Sequence, residues 1–189
     1  MPNLVTGKVR LSYAHVWEPA VIKNNDGSES DEKYSVSLII PKSDKETLKK
    51  IKQAIEDAKQ DGKVSKFGGK IPANLKLPLR DGDIERPDDP AYENSYFINV
   101  NSKEKPQIVD RQKNRITDRE EVYSGCYARV SISIYPFNVR GNRGIACGLG
   151  NIQKIADGES LGGRTRAEDD FDIYEDEDDD FLGSDEDII

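Results

Sequence analysis

The 189-residue sequence contains one histidine, one tryptophan, one methionine and two cysteines. A lone His15 leaves no Ser-His-Asp set, and no partner residues mark it as a metal ligand or general base. Cys126 and Cys147 are too few for a disulfide framework and lack the Cys-x-x-Cys spacing of a zinc site. Their apolar, strand-like surroundings predict buried, reduced thiols. No glycine-rich loop has Walker spacing. Asp110, Asp118 and Glu120 are interleaved with Arg111, Arg115 and Arg119, so paired loop charges account for them better than an Mg²⁺ site does. The expectation is a protein without enzymatic activity, metal or cofactor. No apolar stretch approaches bilayer length, and the start Met1-Pro2-Asn3-Leu4-Val5 lacks a charged region followed by an apolar run. A soluble chain in the cytoplasm is therefore expected.

One further absence is local. Residues 168–189 contain thirteen Asp or Glu and no Lys or Arg. Residues 1–167 consequently hold all 28 cations against 23 acids, a net of +5, while the last segment carries −13. A mildly basic body joined to an acidic run dotted with Phe171, Tyr174 and Phe181 suggests a site for a polyanion that the run can guard.

What is present reads mainly as strands. Leu4–Leu11 continues toward Trp17, a polar turn at 24–28 follows, and Lys33–Ile40 places Tyr34, Val36, Leu38 and Ile40 on one face. Ser43 and Glu46 suggest a capping box for one amphipathic helix carrying Leu48, Ile51, Ile55 and Ala58, with Gly62 as its stop. Residues 63–94 read as an extended surface loop with a short strand at 75–79. Strands resume at 96–101, 107–109, 127–137 and 145–155. The predicted architecture is mainly β: an OB-type small barrel with one main helix, long loop insertions and a disordered acidic segment. A ferredoxin-like sheet fits less well, since only one strong helix is visible. The organisation follows as a nucleic-acid-binding domain over 1–157, a linker over 158–167 and the acidic run over 168–189.

Candidate contacts come from strand faces and loop cations. In 127–137 the aliphatic Ala128, Val130, Ile132 and Ile134 alternate with a face bearing Tyr127, Arg129 and Tyr135 between small serines. Rings beside guanidinium groups make a platform for stacked bases and paired phosphates, although Tyr and Arg also populate ordinary solvent-facing strands. In 96–101 the corresponding face carries Phe97, Asn99 and Asn101, with the long loop as the competing cover for Phe97. Trp17 is a further stacking candidate. The cations Lys63, Lys66, Lys70, Arg111, Lys113, Arg115, Arg140 and Arg143 lie in loops that would flank a phosphate track.

The body carries Gly125-Cys126-Tyr127-Ala128-Arg129-Val130, Tyr135-Pro136-Phe137, Gly144-Ile145-Ala146-Cys147-Gly148-Leu149, Gly158-Glu159-Ser160-Leu161-Gly162-Gly163 and Ser12-Tyr13-Ala14-His15-Val16-Trp17-Glu18-Pro19. In this combination it resembles a phage-encoded family of OB-fold single-stranded DNA-binding proteins. The resemblance implies coating of single-stranded DNA during phage replication, recombination or repair, without strict sequence preference. The acidic run resembles the tails of bacterial and phage single-stranded DNA-binding proteins, and that likeness implies contact with replication or recombination proteins. Phe181, Asp185, Glu186, Asp187, Ile188 and Ile189 would make the contact, although familiar tips finish on an aromatic residue and this one on two isoleucines. Binding of RNA, or a protein-interaction module whose acidic run mimics DNA, are the alternatives.

Overall fold

The computed structural model describes residues 3–21, 29, 31–162 and 167–174. Its elements are β1 (Asn3–Val5), β2 (Val9–Ala20), β3 (Lys33–Pro41), α1 (Lys45–Ser65), β4 (Leu79–Asp81), α2 (Gly82–Glu85), a 3₁₀ turn (Pro90–Tyr92), β5 (Ser95–Ser102), β6 (Ile108–Val109), β7 (Tyr127–Val139), β8 (Asn142–Ala156) and α3 (Ala167–Asp170).

Five strands close on themselves in the order β2–β3–β5–β8–β7, and β7 returns to β2 through Val9↔Ala128 and Arg10↔Tyr127. All neighbours are antiparallel except β5 and β8. This closed Greek-key ring is the OB-type barrel the strand pattern predicts, and closure removes sheet edges that would otherwise recruit other chains. Short strands are added outside the ring: β1 on β7, β4 on β5 and β6 on β8.

The core follows the alternation closely. Ala128, Val130, Ile132 and Ile134 on β7 and Val36, Leu38 and Ile40 on β3 are buried in one interior cluster with Ile98 and Val100 of β5. Cys126 and Cys147 are buried free thiols. Burial pushes both above the usual thiol value of 9.0. α1 lays Leu48, Ile51, Ile55 and Ala58 onto the same cluster. Burying each large aliphatic side chain is worth roughly 1.5–3 kcal/mol.

Two expectations for this helix are corrected. Its N-cap is Asp44, whose carboxylate accepts from the Thr47 amide at 3.2 Å, one residue after the proposed Ser43. Gly62 does not stop it. The glycine is buried against Pro136 and Phe67, and α1 runs on to Ser65. Close approach, not termination, is what this glycine supplies.

The 63–94 region is also more structured than an extended loop. After α1 the chain forms β4 at Leu79–Asp81, then α2 and the 3₁₀ turn, and folds back over the outside of β5. The Tyr92 ring meets Phe97 edge-on at 5.1 Å, and both are buried with Ile39 in a second, smaller cluster outside the barrel. Within the acidic run, one helical turn spans Ala167–Asp170, followed by exposed Phe171, Ile173 and Tyr174. Phe181, Asp185, Glu186, Asp187, Ile188 and Ile189 lie outside the described residues.

Candidate nucleic-acid interface

The phase of β2 changes midway. Val9 and Leu11 point into the core, and so do Ala14 and Val16, so one residue is extra between them. The ladder with β3 shifts between Ser12 and His15, and Tyr13 takes φ 47°. A bulge of this kind re-aims a side chain. Here it leaves the Tyr13 ring 54% exposed on the outside of the barrel.

Around Tyr13 the outer faces of β2, β3 and β5 form a groove of about 380 Å³ lined by His15, Ser35, Ser37, Asn99 and Arg86, among others. The strand registers set this floor: Ser35 opposes Asn101 and Ser37 opposes Asn99. Arg86 arrives from the loop after α2. Its guanidinium lies 5.5 Å from the Tyr13 ring centroid, 5.5 Å from Tyr92 and 5.4 Å from Phe97. The buried Tyr92 hydroxyl donates to Ser37 at 3.2 Å, which anchors the loop on the sheet. A half-buried cation beside an exposed ring, above small polar residues, suits a stacked base and its phosphate.

Along β2, two residues past His15, lies a second groove of about 390 Å³. Trp17 is half-buried, its indole N–H donates to the Val122 carbonyl at 2.9 Å, and Lys105 stands 6.0 Å from its ring. Arg115 and Arg119 complete the wall; Arg115 donates to the Gln107 side chain at 2.9 Å and Arg119 pairs with Glu18. From the first groove a strip of small outward residues also crosses the barrel, as Ser35 neighbours Asn101, Asn101 neighbours Gly148, and Gly148 neighbours Ser133. Tyr135 stands two residues beyond on β7, half-buried.

The residues singled out from the sequence separate into several places. Asn99 lines the first groove and Arg115 and Trp17 the second. Lys63 lies in the last turn of α1 with Lys66 and Lys70 just beyond it, and the β7–β8 hairpin that carries Arg140 and Arg143 meets this segment where the Asn138 amide donates to the Lys66 carbonyl at 2.9 Å. Arg140 and Gly141 take φ 52° and 85° there, as a tight hairpin requires. Arg111 and Lys113 are exposed in the turn after β6. Arg129 is exposed on β7, its Nε donating to the Thr6 carbonyl at 3.3 Å.

Two aromatic candidates behave differently from the expectation. Phe97 is corrected: it is 1% exposed, because Tyr92 and Ile39 cover it, so it is no stacking platform. Tyr127 does face outward, but Lys8 and Arg10 stand 5.3 and 5.7 Å from its ring, and Arg10 donates to the carbonyls of Gly125 and Glu159. The segment after β8 is thereby strapped over this corner. Gly125, at φ 117°, leaves no space for a Cβ beside the Glu159 carbonyl, and Leu161 packs on the Ile39–Tyr92–Phe97 cluster.

Tyr13, His15, Arg86, Lys105 and Arg119 were not singled out as contacts. The bulge has a sequence signal, the change from odd to even apolar positions between Leu11 and Ala14. Arg86 has none, since only the folded loop brings it to the sheet.

A barrel with such grooves is matched by known proteins. The family described as Enterobacter phage Enc34, ssDNA-binding protein, matches residues 2–182. The chain belongs to this Enc34 single-stranded DNA-binding family. Its members here are DNA-binding proteins and not enzymes. The structure of the bacteriophage Enc34 single-stranded DNA-binding protein in complex with ssDNA is similar at a TM-score of 0.71 and 28% identity, covering 85% of this chain and 89% of that one. Another structure of the Enc34 protein aligns at 0.68 and 26%, over 90% of both chains. The single-stranded DNA-binding protein gp2.5 of bacteriophage T7 shares the fold, at 0.60 and 15% identity over 92% of this chain and 96% of that one. No curated protein matches the chain.

Proposed function

We propose that this protein binds single-stranded DNA across the outer face of β2, β3 and β5, largely without sequence preference. It coats and protects the strand during phage replication, recombination or repair in the host cytoplasm. The observation that carries the reading is the open groove in which Arg86 stands over Tyr13, on the face where OB barrels take oligonucleotides. Membership of the Enc34 family supports the choice of ligand.

In this reading a base stacks on Tyr13 and its phosphate pairs with Arg86. Trp17, Lys105, Arg115 and Arg119 extend the track at one end, and the small-residue strip leads it toward Tyr135 at the other. Each stacked base contributes about 1–3 kcal/mol. Lys63, Lys66 and Lys70 at the end of α1, with Arg140 and Arg143 at the β7–β8 hairpin, add charge attraction. The acidic run competes with phosphates for these cations and, once displaced, recruits replication or recombination proteins. The strap over Arg10 supports this idea, since it holds Leu161 against the Ile39–Tyr92–Phe97 cluster that Arg86 overlies.

The test is a fluorescence titration of the full chain with oligo-dT, duplex DNA and oligo-U. Tight, salt-sensitive binding of oligo-dT, reduced by Tyr13→Ala and Arg86→Ala, is expected. Equal affinity for duplex, or preference for oligo-U, contradicts the reading.

A further inference from the structure

The exposed surface of α1 is divided by charge. At 3.6 residues per turn, Lys45, Lys49, Lys52, Lys59 and Lys63 fall in one stripe, about 27 Å long at 1.5 Å per residue. The opposite flank carries Glu46, Lys50, Asp57 and Asp61. Lys50 pairs with Glu46 at 3.7 Å, and the one acid within the stripe, Glu56, is taken by Lys59 at 3.0 Å. Lys45, Lys49, Lys52 and Lys63 have no carboxylate partner among the described residues. Like charges three or four residues apart destabilise a helix, so an anion lying across this row would relieve a repulsion built into the fold.

Both ends of the stripe have a structural context. At the C-terminal end it meets the β7–β8 hairpin, where Gly62 packs against Pro136 and the Asn138 amide donates to the Lys66 carbonyl. The same strand carries Tyr135, five residues before Arg140 and about 17 Å away at strand rise. At the N-terminal end the stripe borders a groove of about 540 Å³ floored by Leu48 and the Tyr96 ring. Lys42 stands over that ring but already holds Asp81 and Asp83, at 3.0 and 2.8 Å, which leaves Lys45, Lys49 and Lys52 as the open cations of its rim.

We propose that a long single strand does not leave the protein at Tyr135 but turns at the β7–β8 hairpin and returns along α1. Its phosphates then lie on Lys63, Lys52, Lys49 and Lys45, and its last nucleotide rests in the groove over Leu48 and Tyr96. Charge complementarity supports the occupant, and so does continuity: Tyr135, Arg140, Arg143, Lys66 and Lys63 link the outer face of the barrel to the helix. The path rests on the DNA reading above and extends it, adding a second tract for the strand on the other side of the hairpin.

Fluorescence titration of the full chain with oligo-dT of about 8 and about 16 nucleotides, within the range one OB fold occupies, tests the path. At about 0.15 M salt charges act over only about 8 Å, so distant lysines have little effect on the short oligomer. Wild-type protein should bind the long oligomer one to one. K45Q/K49Q/K52Q should lose roughly 10- to 50-fold of that affinity, the counterion release of two to three phosphates. Its affinity for the short oligomer should stay within about twofold of wild type, which also shows that the variant folds. Equal losses on both oligomers, no loss on the long one, or two proteins on each long oligomer overturn the proposal. Intact binding of the short oligomer with no loss on the long one refutes only the path along α1. Failure of wild-type protein to bind either oligomer refutes the DNA reading and the path with it.

Discussion

Two outer faces of the same barrel carry aromatic residues, and they are used differently. On β7 the Tyr127 ring is flanked by Lys8 and Arg10 and crossed by the strap that follows β8. On β2 the bulge at Tyr13 leaves a ring open, with Arg86 beside it and small polar residues below. On β5 the ring of Phe97 is sealed by the folded-back loop. Strand alternation reports which side chains point out of a barrel. It does not report which outward side chains the rest of the chain covers, and that difference separates a stacking surface from packing.

The comparison is sharpened by substitutions that exchange its terms. Phe97→Ala removes a buried ring and should cost about 3–5 kcal/mol of stability, read by denaturant unfolding. Tyr13→Ala should leave stability within about 0.5 kcal/mol, as surface changes do. It should weaken oligo-dT binding by about 1–3 kcal/mol, roughly 5- to 150-fold. Tyr127→Ala should do the reverse: a measurable loss of stability from its packed corner, of the order of 1 kcal/mol, with a smaller change in affinity. A larger loss of affinity for Tyr127→Ala than for Tyr13→Ala would break the comparison.

Charge and pH effects are smaller. Replacing Lys63, Lys66 and Lys70 by Gln should flatten the dependence of log K on log salt by up to about 0.7 for each contacted phosphate, with little change between oligo-dT and other sequences. Burial holds the Cys126 and Cys147 thiols protonated above the usual value of 9.0. The folded state therefore binds those protons more tightly than the unfolded state. Their contribution to stability is complete below pH 9 and declines as pH rises beyond it. Unfolding midpoints that stay constant between neutral pH and pH 10 would contradict the burial of both thiols.

Much of the fold was legible in the sequence because the core obeys simple periods. Ala128 to Ile134 alternate as a half-buried strand must, and Leu48 to Ala58 recur as a helix face must, so barrel and helix emerge from pattern alone. The interface was less legible. Asn99, Arg115 and Trp17 sit in the grooves, yet Arg86 comes from a loop whose composition says only that it is polar. Tyr92 and Phe97 show the same limit from the other side. Their mutual burial depends on a return of the chain that no local period encodes. The helix cap moved by one residue for a similar reason, since Ser43 and Asp44 are both good caps and only the folded turn selects between them.

Ultraviolet cross-linking of the full chain to oligo-dT, with the attached residues identified by mass spectrometry, addresses the location of the strand most directly. The expected adducts lie on Tyr13 and Trp17 and disappear from Tyr13 when Arg86 is replaced by Ala. Adducts confined to Tyr127 and Tyr135, with Tyr13 silent, would place the strand over β7 and contradict the account.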